Sequence, residues 1–164
     1  MAAFTDNLKK LVSKTDATYK KGVDLFQTGR YAEAVQQFDD VLREDPRSQE
    51  ALIGKGKSLV RLGKFRIAIE QFDRVIELNP KNIEAFFNRG IAHVSQGNVE
   101  EGLKQFDAAI ALNPDFAEAW ENKAICFKIL GKNDLAEISL ERAMKIRGEY
   151  KDYKPLMGKW FSSR

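Results

Sequence analysis

The chain is 164 residues long, 43% hydrophobic and 31% charged, with 27 basic and 24 acidic side chains and a net charge of +3. That apolar fraction is enough to bury a core and lies well above the range of disordered chains, and no run approaches the eighteen consecutive apolar residues of a membrane-spanning helix. One cysteine, Cys126, and one histidine, His93, exclude an intramolecular disulfide, a multi-cysteine metal site and paired-histidine metal motifs. The opening MAAFTDNLKK sets an acid and two lysines where a secretory signal would be apolar, so no signal peptide is expected. This arithmetic predicts a soluble, cytoplasmic protein that needs no cofactor and no membrane. The charge is uneven: residues 1–14 carry three bases and one acid, residues 15–144 carry 18 bases and 21 acids, and residues 145–164 carry six bases and two acids. A nucleic-acid binder concentrates positive charge on its folded body, so no nucleic-acid partner is expected.

In chain order, residues 1–14 read as a half-unit. The chain repeats with a fixed period, and Phe4 and Leu8 lie one period before Phe38 and Leu42. FTDNLKK therefore reads as an N-terminal capping helix, the second helix of an incomplete repeat. The period continues through the chain. Pro46, Pro80 and Pro114 are evenly spaced, each closing the same phrase: FDDVLREDP (38–46), FDRVIELNP (72–80) and FDAAIALNP (106–114). Gly29, Gly63, Gly97 and Gly131 recur at the same spacing, as do Gly22, Gly56 and Gly90, with Ala124 in the fourth copy. Four units follow from this register: 15–48, 49–82, 83–116 and 117–150.

Each unit holds two apolar-periodic runs of helical spacing joined by a glycine turn. In the second unit, Leu52, Leu59 and Leu62 mark the first helix, and Ile67, Ile69, Phe72, Val75, Ile76 and Leu78 the second. Gly63 falls where the first helix must stop, consistent with a left-handed residue, and Pro80 punctuates the second. Gly56 and Ala68 predict a close helix crossing. Residues 151–164 read as a C-terminal amphipathic helix, because Tyr153, Leu156, Met157, Trp160 and Phe161 fall at i, i+3, i+4, i+7 and i+8. That helix either caps the fourth unit or docks onto another molecule.

This pattern resembles the tetratricopeptide repeat (TPR), a helix–turn–helix unit with the same period, whose pattern ends in a proline. The large fourth position holds Thr18, Leu52, Phe86 and Trp120; the small eighth holds Gly22, Gly56, Gly90 and Ala124; the twentieth holds Ala34, Ala68, Gly102 and Ala136; and the aromatic twenty-fourth holds Phe38, Phe72, Phe106 and Leu140. Thr18, His93 and Gly148 depart from it. The resemblance implies an all-α fold, a right-handed superhelical solenoid of antiparallel helix pairs with four repeats and flanking N- and C-terminal helices.

No enzyme signature is present, and no catalytic role is expected. Cys126 occupies a slot shared with Ser58 and Ala92 and reads as a small buried hydrophobe; His93 reads as a partly buried, hydrogen-bonded structural residue. Gly54-Lys55-Gly56 lacks the strand and the following pattern of a phosphate loop.

The resemblance implies instead a concave groove lined by first helices. Carried over residue by residue, the first repeat offers Asp16, Tyr19, Lys20, Val23, Phe26 and Gln27. The second offers Glu50, Ile53, Gly54, Lys57, Val60 and Arg61. The third offers Glu84, Phe87, Asn88, Ile91, Val94 and Ser95. The fourth offers Glu118, Glu121, Asn122, Ile125, Lys128 and Ile129. Tyr19, Phe26, Phe87 and Ile91 are the expected anchors for a peptide or helix of a partner protein. The acids at Asp16, Glu50, Glu84 and Glu118 match helix N-terminus chemistry as well as a negative edge.

Some proteins of this family clamp the C-terminal carboxylate of heat-shock chaperones with lysines, asparagines and an arginine. The corresponding positions hold Tyr19, Val23, Gly54, Glu84 and Asn88, or, one repeat on, Ile53, Lys57, Asn88, Glu118 and Asn122. Glutamates stand where a lysine must meet carboxylate, so no chaperone clamp is expected. The alternative to a groove-binding module is a self-assembling scaffold, a homo-oligomer in which Tyr153, Leu156, Met157, Trp160 and Phe161 dock onto a second copy.

Overall fold

The computed structural model describes the backbone of residues 2–148 and the side chains of residues 15–148. Among these residues every regular element is a helix: α1 (Ala2–Gln27), α2 (Tyr31–Glu44), α3 (Gln49–Arg61), α4 (Phe65–Leu78), α5 (Ile83–Ser95), α6 (Val99–Leu112), α7 (Ala117–Ile129) and α8 (Asn133–Arg147). They form the all-α arrangement of antiparallel helix pairs that the sequence period predicts. The chain divides into two compact units, Met1–Pro80 and Lys81–Arg164. In the first unit α1 packs on α2, α2 on α3 and α3 on α4, and α1 also touches α3. In the second unit α5 packs on α6, α6 on α7 and α7 on α8, with a smaller contact between α5 and α7.

The turn within each pair is built by backbone conformation rather than by side chains. Gly29, Gly63, Gly97 and Gly131 have φ of 79°, 72°, 92° and 71°. That left-handed conformation is open to glycine and costly for residues with a Cβ. Each glycine N–H donates to a carbonyl three residues back, and the next residue's N–H reaches five back: Gly63 to Val60 at 3.0 Å and Lys64 to Leu59 at 2.9 Å, with the same pattern at the other three turns. This pair of bonds closes the helix end and satisfies its orphan carbonyls.

The second and third repeats start on a side-chain cap, whereas Phe116 before α7 supplies none. Ser48 accepts from the Ala51 N–H at 3.3 Å and caps α3, and Asn82 accepts from the Ala85 N–H at 2.9 Å and caps α5. The prolines 46, 80 and 114 lie just beyond the ends of α2, α4 and α6.

Within each of the first three repeats a phenylalanine ring lies on a bare helix backbone, whereas the fourth places Leu140 and Ala124 at these positions. Phe38, Phe72 and Phe106 are the largest fully buried side chains. A Cβ on Gly22 would fall 2.9 Å from the Phe38 ring, one on Gly56 2.5 Å from Phe72, and one on Gly90 2.7 Å from Phe106. Ala34, Ala68 and Ala136, also fully buried, face the same crossing from the second helix.

The N-terminal segment departs from the expected half-repeat. The break expected after residue 14 is absent, and α1 runs unbroken from Ala2 to Gln27. Val12 occupies the place that Pro46 takes one period later, so nothing interrupts the helix there. Lys14 likewise occupies the place of Ser48, and it has no acceptor to cap a new start. At 26 residues against 14 for α2, α1 is longer than its partner by about 18 Å at 1.5 Å per residue. Helix α8 ends on Gly148, left-handed at φ 75°, where the earlier repeats carry proline. The expected helix over 151–164, with Tyr153, Leu156, Met157, Trp160 and Phe161, lies outside the described residues.

The glycine–phenylalanine contact gives a direct test. Gly56→Val is expected to lower unfolding free energy by about 1–3 kcal/mol through overpacking, and Phe72→Ala by about 3–5 kcal/mol. In urea titrations the double variant should lose less than the sum, because the alanine removes the ring that the new side chain strikes. Strict additivity would show that the two residues do not share one contact.

Candidate partner-binding surface

In the first unit, the surface expected to bind is largely occupied by the fold's own contacts. Ile53 is buried, and Tyr19, Val23 and Phe26 pack half-buried against the cluster of Leu25, Ala34, Phe38, Val41 and Ala51. The Tyr19 ring lies 5.8 Å from that of Phe38, and the Phe26 ring meets Tyr31 edge-on at 5.4 Å. A Cβ on Gly54 would lie 2.5 Å from Phe38, so the α3 backbone itself rests on that ring. Two cations of α3 stand on the aromatic pair: Lys57 Nζ lies 5.8 Å from the Phe26 centroid, and Arg61 Cζ lies 5.1 Å from that of Tyr31. Lys20 and Arg61 are exposed, and Lys57 and Val60 are half-buried.

In the second unit Phe87 is held on both sides, 5.8 Å from Phe106 and 4.9 Å from Phe116. Ile91 and Val94 pack half-buried against Val99, Phe106 and Cys126. Asn88 and Asn122 each donate back to their own helix, to the Glu84 and Glu118 carbonyls at 2.8 Å. Arg147 ties down the start of α7, 3.1 Å from Glu121 and 3.5 Å from Glu118. Lys128 is exposed. Ile125 and Ile129 are large apolar residues one turn apart on α7, 46% and 58% exposed. They lie at two of the positions that the family resemblance assigns to a groove.

The acids at the second position of each repeat separate into two cases. Glu50, Glu84 and Glu118 lie in the first turns of α3, α5 and α7, where they complement the helix dipole. Asp16 lies in the interior of α1, so that account does not reach it.

Several residues of the framework were not singled out by the sequence pattern. Lys55 pairs with Asp39 at 2.6 Å and Lys123 with Asp107 at 2.5 Å, each joining the second helix of one repeat to the first of the next. The signal was present, since the aspartate of the FD pair and the base that follows it into the next helix recur with the period of the repeat. Buried Gln105 accepts from Arg89 at 3.1 Å and donates to Glu101 at 2.7 Å. A hydrogen bond from Lys104 holds the Glu101 carboxyl below the usual carboxylate range. Leu135 and Ile138 stand exposed on α8.

Among the described residues no three histidine, cysteine or carboxylate side chains gather to hold a metal ion, and no helix is long and apolar enough to cross a membrane. A polar cleft of about 450 Å³ lined by Asp39, Leu42, Arg43, Lys55 and Arg74 lies in the first unit, but its lysine already serves Asp39.

The helix pairs, the left-handed glycine turns and the phenylalanine-on-glycine crossing define a helical-repeat protein of the interaction class. Residues 19–59 and 87–150 match the family model of the tetratricopeptide repeat, and residues 56–97 match a second model of the TPR repeat. The chain belongs to the tetratricopeptide-repeat family. Among solved structures, a crystal structure of MamA is 20% identical over 93% of this chain and 89% of that one, with a TM-score of 0.76. MamA from Desulfovibrio magneticus RS-1 is 22% identical over 81% and 75%, with a TM-score of 0.74. A thermophilic TPR protein of Thermus thermophilus is 25% identical over 88% and 84%, also at 0.74. The likeness to the two MamA structures is one of fold. A comparison with curated proteins finds no match.

Cys126 gives a test of how closed the second unit is. It is fully buried on α7, and burial pushes its thiol up from the ordinary 9 to about 11, with the charge of Asp107 adding to the effect. The unfolded chain therefore releases this proton near pH 9 while the folded chain keeps it, so stability is fully present below that pH and falls as pH rises toward 11. Iodoacetamide at pH 8 should leave Cys126 unmodified in the native protein and alkylate it in urea. Rapid native labelling would show that α7 does not close on its neighbours.

Proposed function

We propose that this protein is a non-catalytic adaptor that holds a peptide or helix of another protein against the first helices of its repeats. Membership in the tetratricopeptide-repeat family supports a protein-interaction role. The observation that carries the groove reading is the exposure of Ile125 and Ile129, at 46% and 58%, on the positions that face the groove in that family. Covering the half of each side chain that stays exposed is worth about 1 kcal/mol per residue, so the two together can serve as an anchor. Tyr19, Phe26, Phe87 and Ile91, packed against the core, serve as the floor on which a ligand rests rather than as free anchors. The glutamates at Glu84 and Glu118 argue against a chaperone carboxylate clamp. A cytoplasmic location suits a chain whose single cysteine is buried.

A second reading, self-association, is favoured by Leu135 and Ile138, exposed at 44% and 60% on the last repeat. In that reading the apolar stripe of Tyr153, Leu156, Met157, Trp160 and Phe161 docks onto another copy.

Two measurements separate these readings. Sixteen-residue peptides selected from a random display library on the immobilised protein should bind the Ile129→Glu variant at least tenfold more weakly, with the far-UV circular dichroism unchanged; selected peptides indifferent to that change would remove α7 from the groove. Light scattering of the intact chain and of a chain ending at Lys151 should give monomers in both cases. A dimer lost on truncation would make the C-terminal segment the ligand and assembly the function.

A further inference from the structure

Within each unit the first helix of one repeat is covered by the first helix of the next: α3 touches α1, and α7 touches α5. In the first unit Tyr19, Val23 and Phe26, at repeat positions five, nine and twelve, are half-buried against a cluster that includes Ala51 of α3, and Lys57 of α3 stands over the Phe26 ring. In the second unit Phe87, Ile91 and Val94 of α5, at the same positions, are half-buried against a cluster that includes Cys126 of α7. On α7 these positions hold Glu121, Ile125 and Lys128. There Ile125 is 46% exposed, although Ile91 one repeat earlier is half-buried. The position that a following helix covers elsewhere is thus apolar and open on the last first helix.

The chain leaves α8 beside this surface. Arg147 at the end of α8 lies 3.1 Å from Glu121 and 3.5 Å from Glu118, at the start of α7. Gly148 follows in the left-handed conformation, which at Gly63 and its counterparts sends the backbone back along the helix it has left. A chain turned back along α8 runs in the direction of α7. From Glu118 to Ile125 is about 10 Å along α7, and the twelve residues from Gly148 to Trp160 span about 18 Å even when fully helical.

Residues 151–164 lie outside the described residues, but their sequence keeps part of the repeat phase. Gly158 stands two periods after Gly90, Phe161 one period after Phe127, and Trp160 one period after Cys126. Lys154 departs from the pattern, because it falls at the large fourth position held by Leu52, Phe86 and Trp120. Cys126 packs with positions five, nine and twelve of α5; Trp160, one period on, matches those of α7. An indole covers far more apolar surface than a thiol and accepts a cation such as Lys128 at its face. Residues 149–164 carry four bases and two acids, complementary in sign to Glu118 and Glu121.

We propose that residues 151–161 lie along α7 of their own chain with Trp160 over Ile125, so that the protein occupies one end of its own groove and a partner segment enters by displacing them. The proposal rests on the groove reading above and names its regulation. Position thirteen is exposed in every repeat, at Gln27, Arg61, Ser95 and Ile129, so Ile129 stays open for the partner's first contact.

Trp160 reports on this directly. The chain holds two tryptophans, Trp120 and Trp160, and Trp120→Phe, which copies Phe86 of the third repeat, leaves Trp160 as the sole indole of the full chain. Acrylamide should quench it at least threefold less than in a free peptide of residues 149–164, at any protein concentration. Adding Ile125→Glu should return quenching to the peptide's value, whereas Ile67→Glu, at an equally exposed site on α4, should leave it unchanged; circular dichroism should be the same in both. In the parent chain, Trp160→Glu should raise the affinity for the library-selected peptides at least fivefold. Quenching equal to the free peptide's, or protection indifferent to Ile125→Glu, would overturn the proposal and leave the groove reading to the Ile129→Glu result. Protection lost on dilution would overturn it too and assign the segment to a second copy. Protection of Trp160 with peptide affinity unchanged by Trp160→Glu would overturn the displacement and make the segment a cap only.

Discussion

Everything in this structure hangs on a ring laid against a backbone. The helices are 13 to 15 residues long, apart from α1, and helices of that length are marginal alone in water. They persist because Phe38, Phe72 and Phe106 lie where Gly22, Gly56 and Gly90 leave no side chain. The contact joins two helices of the same repeat in the first three repeats, and the Phe38 ring also carries the α3 backbone of the next repeat at Gly54. Neighbouring repeats are joined further by polar ties: Asp39 with Lys55, Asp107 with Lys123, and Arg74 with the Pro46 carbonyl. A repeat that is internally complete and joined to the next by side-chain contacts can be extended without redesign, which is the logic of repeat architectures generally.

The same economy decides what remains for recognition. Aromatic residues at the positions that the family resemblance assigns to a groove are largely committed to the framework: Tyr19 to Phe38, Phe87 to Phe106 and Phe116. They give a firm floor. What varies from repeat to repeat is the layer above it, apolar at Ile125 and Ile129 and cationic at Lys57 and Arg61. One scaffold thus presents different chemistry in its two units without any change of backbone plan.

Much of this was legible from spacing. The periodic recurrence of Gly63 and its counterparts placed the turns, and the recurrence of Phe72 and its counterparts placed the crossing, because a position repeated with the same size constraint records the same contact each time. Two things were not legible. A repeat position says which face a residue occupies but not whether another ring already covers it, so Phe87 read as an anchor although Phe106 and Phe116 hold it. Register also says where a boundary could fall but not whether the chain stops there. Phe4 and Leu8 keep the phase of Phe38 and Leu42, yet the helix runs on through Val12 and Lys14 because neither a stop nor a cap is present. The cation pair on Phe26 and Tyr31 escaped for a related reason: Tyr31 belongs to the second helix, outside the set of positions that describe a groove.

The glycine turns carry an uncommon relation between exposure and mutational freedom. Around Gly29, Gly63, Gly97 and Gly131 an added Cβ would meet nothing within 4 Å, and all four are exposed. By packing alone they would rank among the most permissive sites in the chain. Their conformation nevertheless belongs to the mirror-image half of backbone space, which glycine enters freely because it alone has no handedness. The constraint at these four points is therefore one of chirality rather than volume. A survey of substitutions ranked by solvent accessibility would misjudge them, and the repeat's ability to reverse direction depends on keeping achiral residues at places where nothing touches them.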